Sequence, residues 1–222
     1  MSKYVSSGCE PLDKLLGGGF EAGVVTQLFG EAGSGKTNLC IQTAIECVKS
    51  GKKAVFIDTE ALSPDRFEQI AGENSRKIAA DIIIYEPKTF EEQYSAIIDI
   101  NKVIEENIGL IIVDSATSFY RYELDDENVG VQNRRELSNQ LGVLHGFARK
   151  YKIPVIITNQ VYTDIVSGSY KPIGGSGIEH ISKTIVQLEK TGIGTRKAKL
   201  WKHRSQPEGE YCNFTITATG VK

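Results

Sequence analysis

Cysteine is scarce in this sequence of 222 residues. The four cysteines have neither the spacing of metal ligands nor the density of a disulfide scaffold, so we interpret them as reduced thiols. The three histidines are too scattered to indicate a metal site. No apolar run is long enough to cross a bilayer, and residues 1–4 do not resemble a cleavable signal. We therefore expect a cytoplasmic protein that makes no contact with a membrane.

The sequence also lacks an excess of charge of one sign. Its formal net charge of -2 argues against a surface that is basic throughout, so any contact with nucleic acid must be local. The hydrophobic fraction of 40% and the charged fraction of 24% are those of a globular protein. The length suits one α/β domain that covers residues 1–222.

Short apolar runs alternate with helical patterns along most of the chain. The runs typical of buried strands lie at residues 24–29, 54–59, 82–85, 110–113 and 155–158, and helical spacing appears near 38–48, 90–106 and 132–150. This alternation predicts a mostly parallel sheet with helices on both faces and ligands at the carboxyl ends of the strands. Beyond Gly175, residues 184–190, 196–203 and 211–217 alternate without long helices and predict an antiparallel extension of the sheet.

A glycine-rich segment between a strand and a helix carries the strongest signal. Gly30-Glu31-Ala32-Gly33-Ser34-Gly35-Lys36-Thr37 fits the phosphate-loop pattern G-x-x-x-x-G-K-[ST], and a helical run begins at Asn38. Glycines let backbone N–H groups turn inward around phosphate oxygens at the positive end of a helix. Lys36 is expected to reach the β- and γ-phosphates and Thr37 to ligate Mg²⁺. The alternative is a turn that only connects the two elements.

Polar side chains end three of the predicted strands. Asp114 closes the run at 110–113, as in the acidic motif that holds Mg²⁺ directly or through water. Glu60 follows the run at 54–59 and is placed to orient and deprotonate an attacking water; Asp58 competes for this role. Gln160 ends the run at 155–159 and could sense the γ-phosphate. The alternative interpretations are that Asp114 caps a turn, that Glu60 is a surface residue in a turn, and that Gln160 makes only local hydrogen bonds in a loop.

Seven blocks of sequence together resemble the RecA/RadA recombinase core and cover nearly the whole chain. They are residues 7–19, the phosphate loop, 56–60, 110–121, 157–161, Lys171-Pro172-Ile173-Gly174-Gly175 and Pro207-Glu208-Gly209-Glu210. The resemblance implies ATP and Mg²⁺ as cofactors, Glu60 as the catalytic glutamate, and Gln160 as a switch between the nucleotide and the DNA loops. The resemblance also implies that Arg66 stacks on the adenine. The nucleotide-binding residues would then be those of the phosphate loop together with Asn38 and Arg66.

The chain departs from this family at its beginning and in both DNA loops. The recombinase core begins at once, so we expect no preceding helix-hairpin-helix domain. The first loop, residues 122–130, is acidic where phosphate binding calls for cations, and the second, residues 162–171, is short and has one basic residue. The family closes its nucleotide from the neighbouring subunit with an acid shortly before Pro-Ile-Gly-Gly, and the corresponding stretch Ser167-Gly168-Ser169-Tyr170 has none, which disfavours an ATP site completed across subunits. The remaining candidates for DNA or a partner are Arg134, Arg135, Tyr162, Tyr170, Lys171, Lys199, Lys202 and Arg204.

The resemblance and these departures together predict an accessory or mediator of the main recombinase. We expect weak Mg-dependent ATPase activity and salt-sensitive binding of DNA, preferably single-stranded, without strand exchange; a homo-oligomer is left open. The alternatives are a full strand-exchange recombinase, a KaiC-type signalling ATPase, and a nucleotide-gated interaction module without useful hydrolysis.

Overall fold

The computed structural model describes residues 3–105, 107–122, 127–164, 168 and 170–222. Side chains within residues 121–122 and 127–132 are outside this description. The strands, in chain order, are β1 Tyr4–Val5, β2 Phe20–Glu21, β3 Val25–Gly30, β4 Lys53–Asp58, β5 Ile82–Tyr85, β6 Ile108–Asp114, β7 Val155–Asn159, β8 Val161–Thr163, β9 Tyr170–Pro172, β10 Thr184–Lys190, β11 Thr195–Lys202, β12 Tyr211–Thr217 and β13 Gly220–Val221.

The helices lie between these strands. They are α1 Glu10–Leu15, α2 Lys36–Lys49, α3 Pro64–Ala71, α4 Ser75–Ala79, α5 Phe90–Val103, α6 Ser118–Tyr122, α7 Glu127–Tyr151 and α8 Gly175–Ile181, with a 3₁₀ turn at Gly72–Asn74. None of the helices in the described ranges is long and apolar enough to cross a membrane.

Nine of the described strands form one mixed sheet in the order β13-β12-β11-β10-β3-β7-β6-β4-β5. The pairs from β10 to β5 are parallel, whereas β10, β11, β12 and β13 pair antiparallel. This confirms the predicted parallel core with an antiparallel extension. Two further pairs, β1 with β2 and β8 with β9, form small antiparallel ribbons.

Successive side chains of each central strand point to opposite faces of the sheet, which divides the core into two layers. In β6, Ile111 and Val113 join the layer that contains α5 and α7, while Leu110 and Ile112 join the layer that contains α1 and α2. The central strands are buried on both faces, which explains why they appear in the sequence as continuous apolar runs. The prediction of helices on both faces is confirmed.

Element ends differ from the sequence patterns by a few residues. The predicted strands at 82–85, 184–190 and 211–217 coincide with β5, β10 and β12. Helix α5 ends at Val103 instead of near residue 106, and Asn107 then adopts a φ of 66° that turns the chain into β6. Helix α7 begins at Glu127, earlier than the apolar spacing from residue 132 indicates.

Candidate nucleotide-binding site

The phosphate loop connects the carboxyl end of the central strand β3 to the first turn of α2. Gly33 and Gly35 have φ values of 73° and 105°, in the left-handed region that favours glycine. The buried Lys36 ammonium donates to the backbone carbonyls of Gly30 at 2.8 Å and Glu31 at 3.1 Å. Its nitrogen therefore lies inside the loop, where a bound phosphate would replace the two carbonyls as its partner.

Two features of the loop fit a phosphate group. A Cβ at Gly30 would stand 2.2 Å from the Leu188 carbonyl oxygen of β10, so only glycine fits where the strand enters the loop. The Ser34 hydroxyl is fully buried and has no partner in the described structure. Since an orphaned buried hydroxyl is unfavourable, a phosphate oxygen at this position would satisfy it.

Asp114 lies at the carboxyl end of β6, directly beside the start of α2. Its carboxylate accepts a hydrogen bond from the Thr158 hydroxyl at 2.5 Å and another from the Thr37 hydroxyl. Burial raises the pKa of the Asp114 carboxyl from 3.8 to about 6, while the two hydroxyls and the Lys36 ammonium act in the opposite direction. Thr37 and Asp114, the predicted magnesium ligands, thus present oxygen atoms at one point, which is the ligand chemistry that Mg²⁺ requires.

Burial also affects the ammonium of the phosphate loop. It lowers the pKa of Lys36, whereas Glu60 and Asp114 act in the opposite direction. An anionic ligand would favour the charged ammonium in the same way as these carboxylates do. The loop, the carboxylates and the lysine therefore form one electrostatic unit.

Glu60 stands beyond the end of β4 and is exposed, whereas its competitor Asp58 is buried. The Asp58 carboxylate accepts hydrogen bonds from the backbone N–H groups of Glu60 at 3.1 Å and Leu62 at 2.6 Å. Asp58 therefore stabilises the turn, which leaves Glu60 as the better candidate for water activation. The Gln160 amide donates to the Glu60 carboxylate at 2.8 Å and so joins the ends of β4 and β7.

Hydrogen bonds continue from Gln160 toward the β8–β9 ribbon. The Asn159 side-chain amide donates to the Ile173 carbonyl at 2.7 Å, and the Ile173 N–H donates to the Gln160 carbonyl at 3.1 Å. The Thr117 hydroxyl donates to the Asn159 side chain at 2.7 Å. The strand end that carries Gln160 is therefore bound to the segment that follows β9.

Arg66, the predicted adenine-stacking residue, joins three elements near the start of α2. Its guanidinium donates to Asn38 at 2.5 Å and to the carbonyls of Thr217 and Ala218 at 3.0 and 2.9 Å. These bonds use the edges of the guanidinium. Its planar faces are the surface that a purine ring would need.

Three of the basic candidates for DNA contact have partners within the chain. Tyr162 and Tyr170 are exposed on paired strands β8 and β9, but the Lys171 ammonium forms an ion pair with Asp164. Lys202 donates to the Glu179 carbonyl at 2.6 Å, and Arg204 pairs with the buried Glu21.

The other DNA candidates are on α7 and β11. Arg134 and Arg135 are exposed on α7, and Lys199 is partly exposed on β11. Trp201, which lies between Lys199 and Lys202 in the sequence, donates to Gln187 and packs edge-on against Phe29 at a ring distance of 4.8 Å. In the first loop, residues 123–126 and the Glu127 side chain lie outside the described structure, as do Ser167 and Ser169 of the second.

Sequence reasoning missed several residues that touch the phosphate loop or its acid. Thr158 had a local signal, since it ends the apolar run of β7 beside Asn159 and Gln160. Arg196 and Lys190 had none: they lie far along the chain, and only the hairpin formed by β10 and β11 brings them to the loop. Asp58 was expected to compete with Glu60 rather than to support it.

The fold is that of the RecA/Rad51 class of proteins. The Rad51 family model matches residues 3–222. The chain is 71% identical to the DNA repair and recombination protein RadB of Methanococcoides burtonii, over 100% of the chain and 99% of that relative. It is 43% identical to the protein of the same name in Archaeoglobus fulgidus, over 98% and 97%.

A solved structure agrees with these relatives. A structure described as the crystal structure of the RadB recombinase matches with a TM-score of 0.84 and 38% identity, over 98% of each chain. The chain therefore belongs to the RecA/Rad51 family of DNA repair and recombination proteins, among the paralogues named RadB.

Proposed function

We propose that this chain is an ATP-binding accessory or mediator of the main archaeal recombinase, with weak Mg-dependent ATPase activity and no strand exchange of its own. The observation that carries the proposal is the convergence of Lys36, Asp114, Glu60 and Gln160, from four separate elements, around the phosphate loop. The RecA/Rad51 family is generally ATP-binding and magnesium-dependent. Membership of this family also weighs against the KaiC-type alternative.

Each residue of this site has a distinct task. The loop N–H groups and Lys36 bind the phosphates, and Thr37 and Asp114 hold the metal. When bound, Mg²⁺ neutralises charge that develops on the phosphates. Glu60 accepts a proton from the attacking water and orients it. In catalysis of this type, positioning and charge stabilisation contribute most of the rate enhancement.

Slow turnover is expected because Glu60 is exposed and shares its carboxylate with the Gln160 amide. A solvated general base, held by another side chain, is poorly placed to act on water until that bond is released. When ATP binds, the Gln160 amide would release the Glu60 carboxylate and donate to the γ-phosphate instead. The same exchange would alter the segment around Ile173 and so transmit the nucleotide state to the surface.

Basic side chains that are already paired within the chain favour an accessory role. Lys171, Lys202 and Arg204 already have partners within the chain, so these three cations are less available to neutralise DNA phosphates. Since phosphate contacts supply much of the affinity, we expect DNA binding that is weak and salt-sensitive. Exposed Tyr162 and Tyr170 would add stacking on single-stranded bases.

The Glu60–Gln160 bond also supports a second candidate function, a nucleotide-gated interaction module without useful hydrolysis. In that case ATP binding alone would move Gln160 and switch the surface. A Glu60→Ala chain that retains all biological activity would favour this module over the ATPase.

Co-elution with the recombinase from the same source, with and without Mg-ATP, tests the proposed function. We expect a complex whose amount depends on the nucleotide. Lys36→Ala should abolish ATP binding and remove this dependence, while Lys77→Ala, at an exposed position on α4, serves as the matched control. Absence of a complex in both states would refute the accessory role, and unchanged ATP affinity of Lys36→Ala would refute the assigned pocket. The proposal includes that residues 1–222 form a single core domain and that the protein acts in the cytoplasm.

A further inference from the structure

The outer side of the phosphate loop is covered by the hairpin that joins β10 to β11. Strand β10 runs parallel to β3 and ends at Lys190, beside the loop, and the chain returns at Thr195. Arg196 follows immediately. Its Nε and one terminal nitrogen donate to the Gly33 carbonyl at 3.0 and 2.8 Å. A fork of two donors thus holds one carbonyl of the loop.

The same guanidinium organises the hairpin that carries it. Its other terminal nitrogen donates to the carbonyls of Thr195 at 2.7 Å and Gly192 at 3.3 Å. The turn is also closed by a bond between the Thr191 N–H and the Thr195 carbonyl. Arg196 is therefore attached to the hairpin and to the loop at once, so that the position of one determines the position of the other.

The contact has a geometric consequence inside the loop. The carbonyl of Gly33 and the N–H of Ser34 belong to the same planar peptide unit and point in opposite directions. With the carbonyl held outward by Arg196, the N–H of Ser34 points inward, where the Glu31 carbonyl accepts it at 3.1 Å. Inward N–H groups are the donors that a phosphate-binding loop requires.

The charges around Gly33 are also unbalanced in favour of the positive sign. Within the described parts of the chain, Arg196 has no carboxylate partner, since its acceptors are backbone carbonyls. A Cβ at Gly33 would meet the Lys190 side chain at 3.2 Å, and the Lys190 ammonium is 3.7 Å from the Glu31 carboxylate. Two cations thus flank the loop from outside while Lys36 occupies its interior.

We propose that Arg196 is a positioning residue of the nucleotide site: it holds the Gly33–Ser34 peptide in the orientation that receives phosphate, and it couples the loop to the β10–β11 hairpin. This inference rests on the proposed ATP-binding function. Arg196 acts through the loop and does not touch the γ-phosphate. ADP and ATP, which share the phosphates bound by the loop, should therefore respond equally to its loss.

Calorimetric titration of the full chain with Mg-ADP and Mg-ATP tests this. We expect Arg196→Gln to weaken both nucleotides by about fivefold to tenfold, as for a lost charge-assisted contact at a partly exposed site. Arg196→Lys should recover only part, because an ammonium lacks the planar fork. The matched control is Arg149→Gln, which replaces an exposed arginine near the end of α7. It should bind like the unmodified chain.

Binding is measured well below the melting temperature of each variant, so that lost stability does not imitate lost affinity. Unchanged affinity of Arg196→Gln would overturn the inference, as would an equal loss in Arg149→Gln, full recovery by lysine, or a loss confined to ATP. Lys36→Ala separates the two proposals. If it abolishes binding while Arg196→Gln does not weaken it, only the role of Arg196 fails; if Lys36→Ala binds normally, the nucleotide site itself fails.

Discussion

Replacement of Asp114 by asparagine should stabilise the chain in the absence of metal and nucleotide while it removes magnesium-dependent ATP binding. Asp114 is 1% exposed, and its carboxylate accepts hydrogen bonds from Thr158 and Thr37. An asparagine keeps one oxygen for Thr158, and its amide can donate to the Thr37 oxygen. The substitution therefore preserves the shape of the site and removes the buried negative charge.

The magnitude follows from the pKa of this carboxyl. Burial raises that pKa from 3.8 to about 6, so the folded chain binds the proton more tightly than the unfolded chain does. The contribution of Asp114 to the free energy of unfolding is thus greatest below the ordinary pKa, decreases as the pH rises from about 4 to 6, and is constant above about 7. At about 1.4 kcal/mol per pH unit, the full loss is about 3 kcal/mol.

Urea denaturation at several pH values between 4 and 8, without magnesium or nucleotide, measures this effect. We expect Asp114→Asn to unfold at higher urea than the unmodified chain at pH 8 by an amount that corresponds to about 3 kcal/mol, and the difference to vanish near pH 4. A difference that is the same at both pH values would refute the reasoning, since it could not come from ionisation. A less stable variant at pH 8 would refute it too.

Three further predictions concern packing and DNA. Gly30→Ala should destabilise the chain by about 1–3 kcal/mol in thermal or urea unfolding, because the new Cβ would collide with the Leu188 carbonyl. Gly146→Ala on helix α7, where a Cβ meets nothing within 4 Å, should be neutral or stabilising by up to about 1 kcal/mol. Equal effects of the two substitutions would contradict the packing argument. Ile112→Ala should cost about 2–5 kcal/mol, since this residue is fully buried in the central strand β6, while Ile193→Ala at a fully exposed turn should cost almost nothing. Affinity for single-stranded DNA in fluorescence anisotropy should fall as salt rises, and a salt-independent affinity would point to stacking alone.

Most of the fold could be predicted because its signals are local. The central strands are buried on both faces, so each one appears as a short apolar run, and the helices between them keep their own spacing. The small ribbons and the ends of α5 and α7 were not predicted. Two-residue strands such as β1 and β2 have no periodicity to detect, and helix ends depend on capping and on where the next strand begins.

The candidate site divides in the same way. The phosphate loop and Asp114 were predicted from residues that are adjacent in sequence. The bond between Glu60 and Gln160 joins residues 100 positions apart, and the contact of Arg196 with Gly33 spans 163 positions. No pattern within a short window contains such pairs. Lys199, Lys202 and Arg204 lie close together in the sequence, although Lys202 and Arg204 have partners inside the chain.

The sequence by itself determined that a glycine-rich loop lies between a buried strand and a helix, because steric freedom at glycine and apolar periodicity are properties of a few consecutive residues. Only the tertiary structure decided what surrounds that loop. The raised pKa of Asp114 comes from removal of water by the packed layers, and the cations outside the loop come from a hairpin near the end of the chain. Desolvation and charge act through distance in space, which spacing along the chain does not specify.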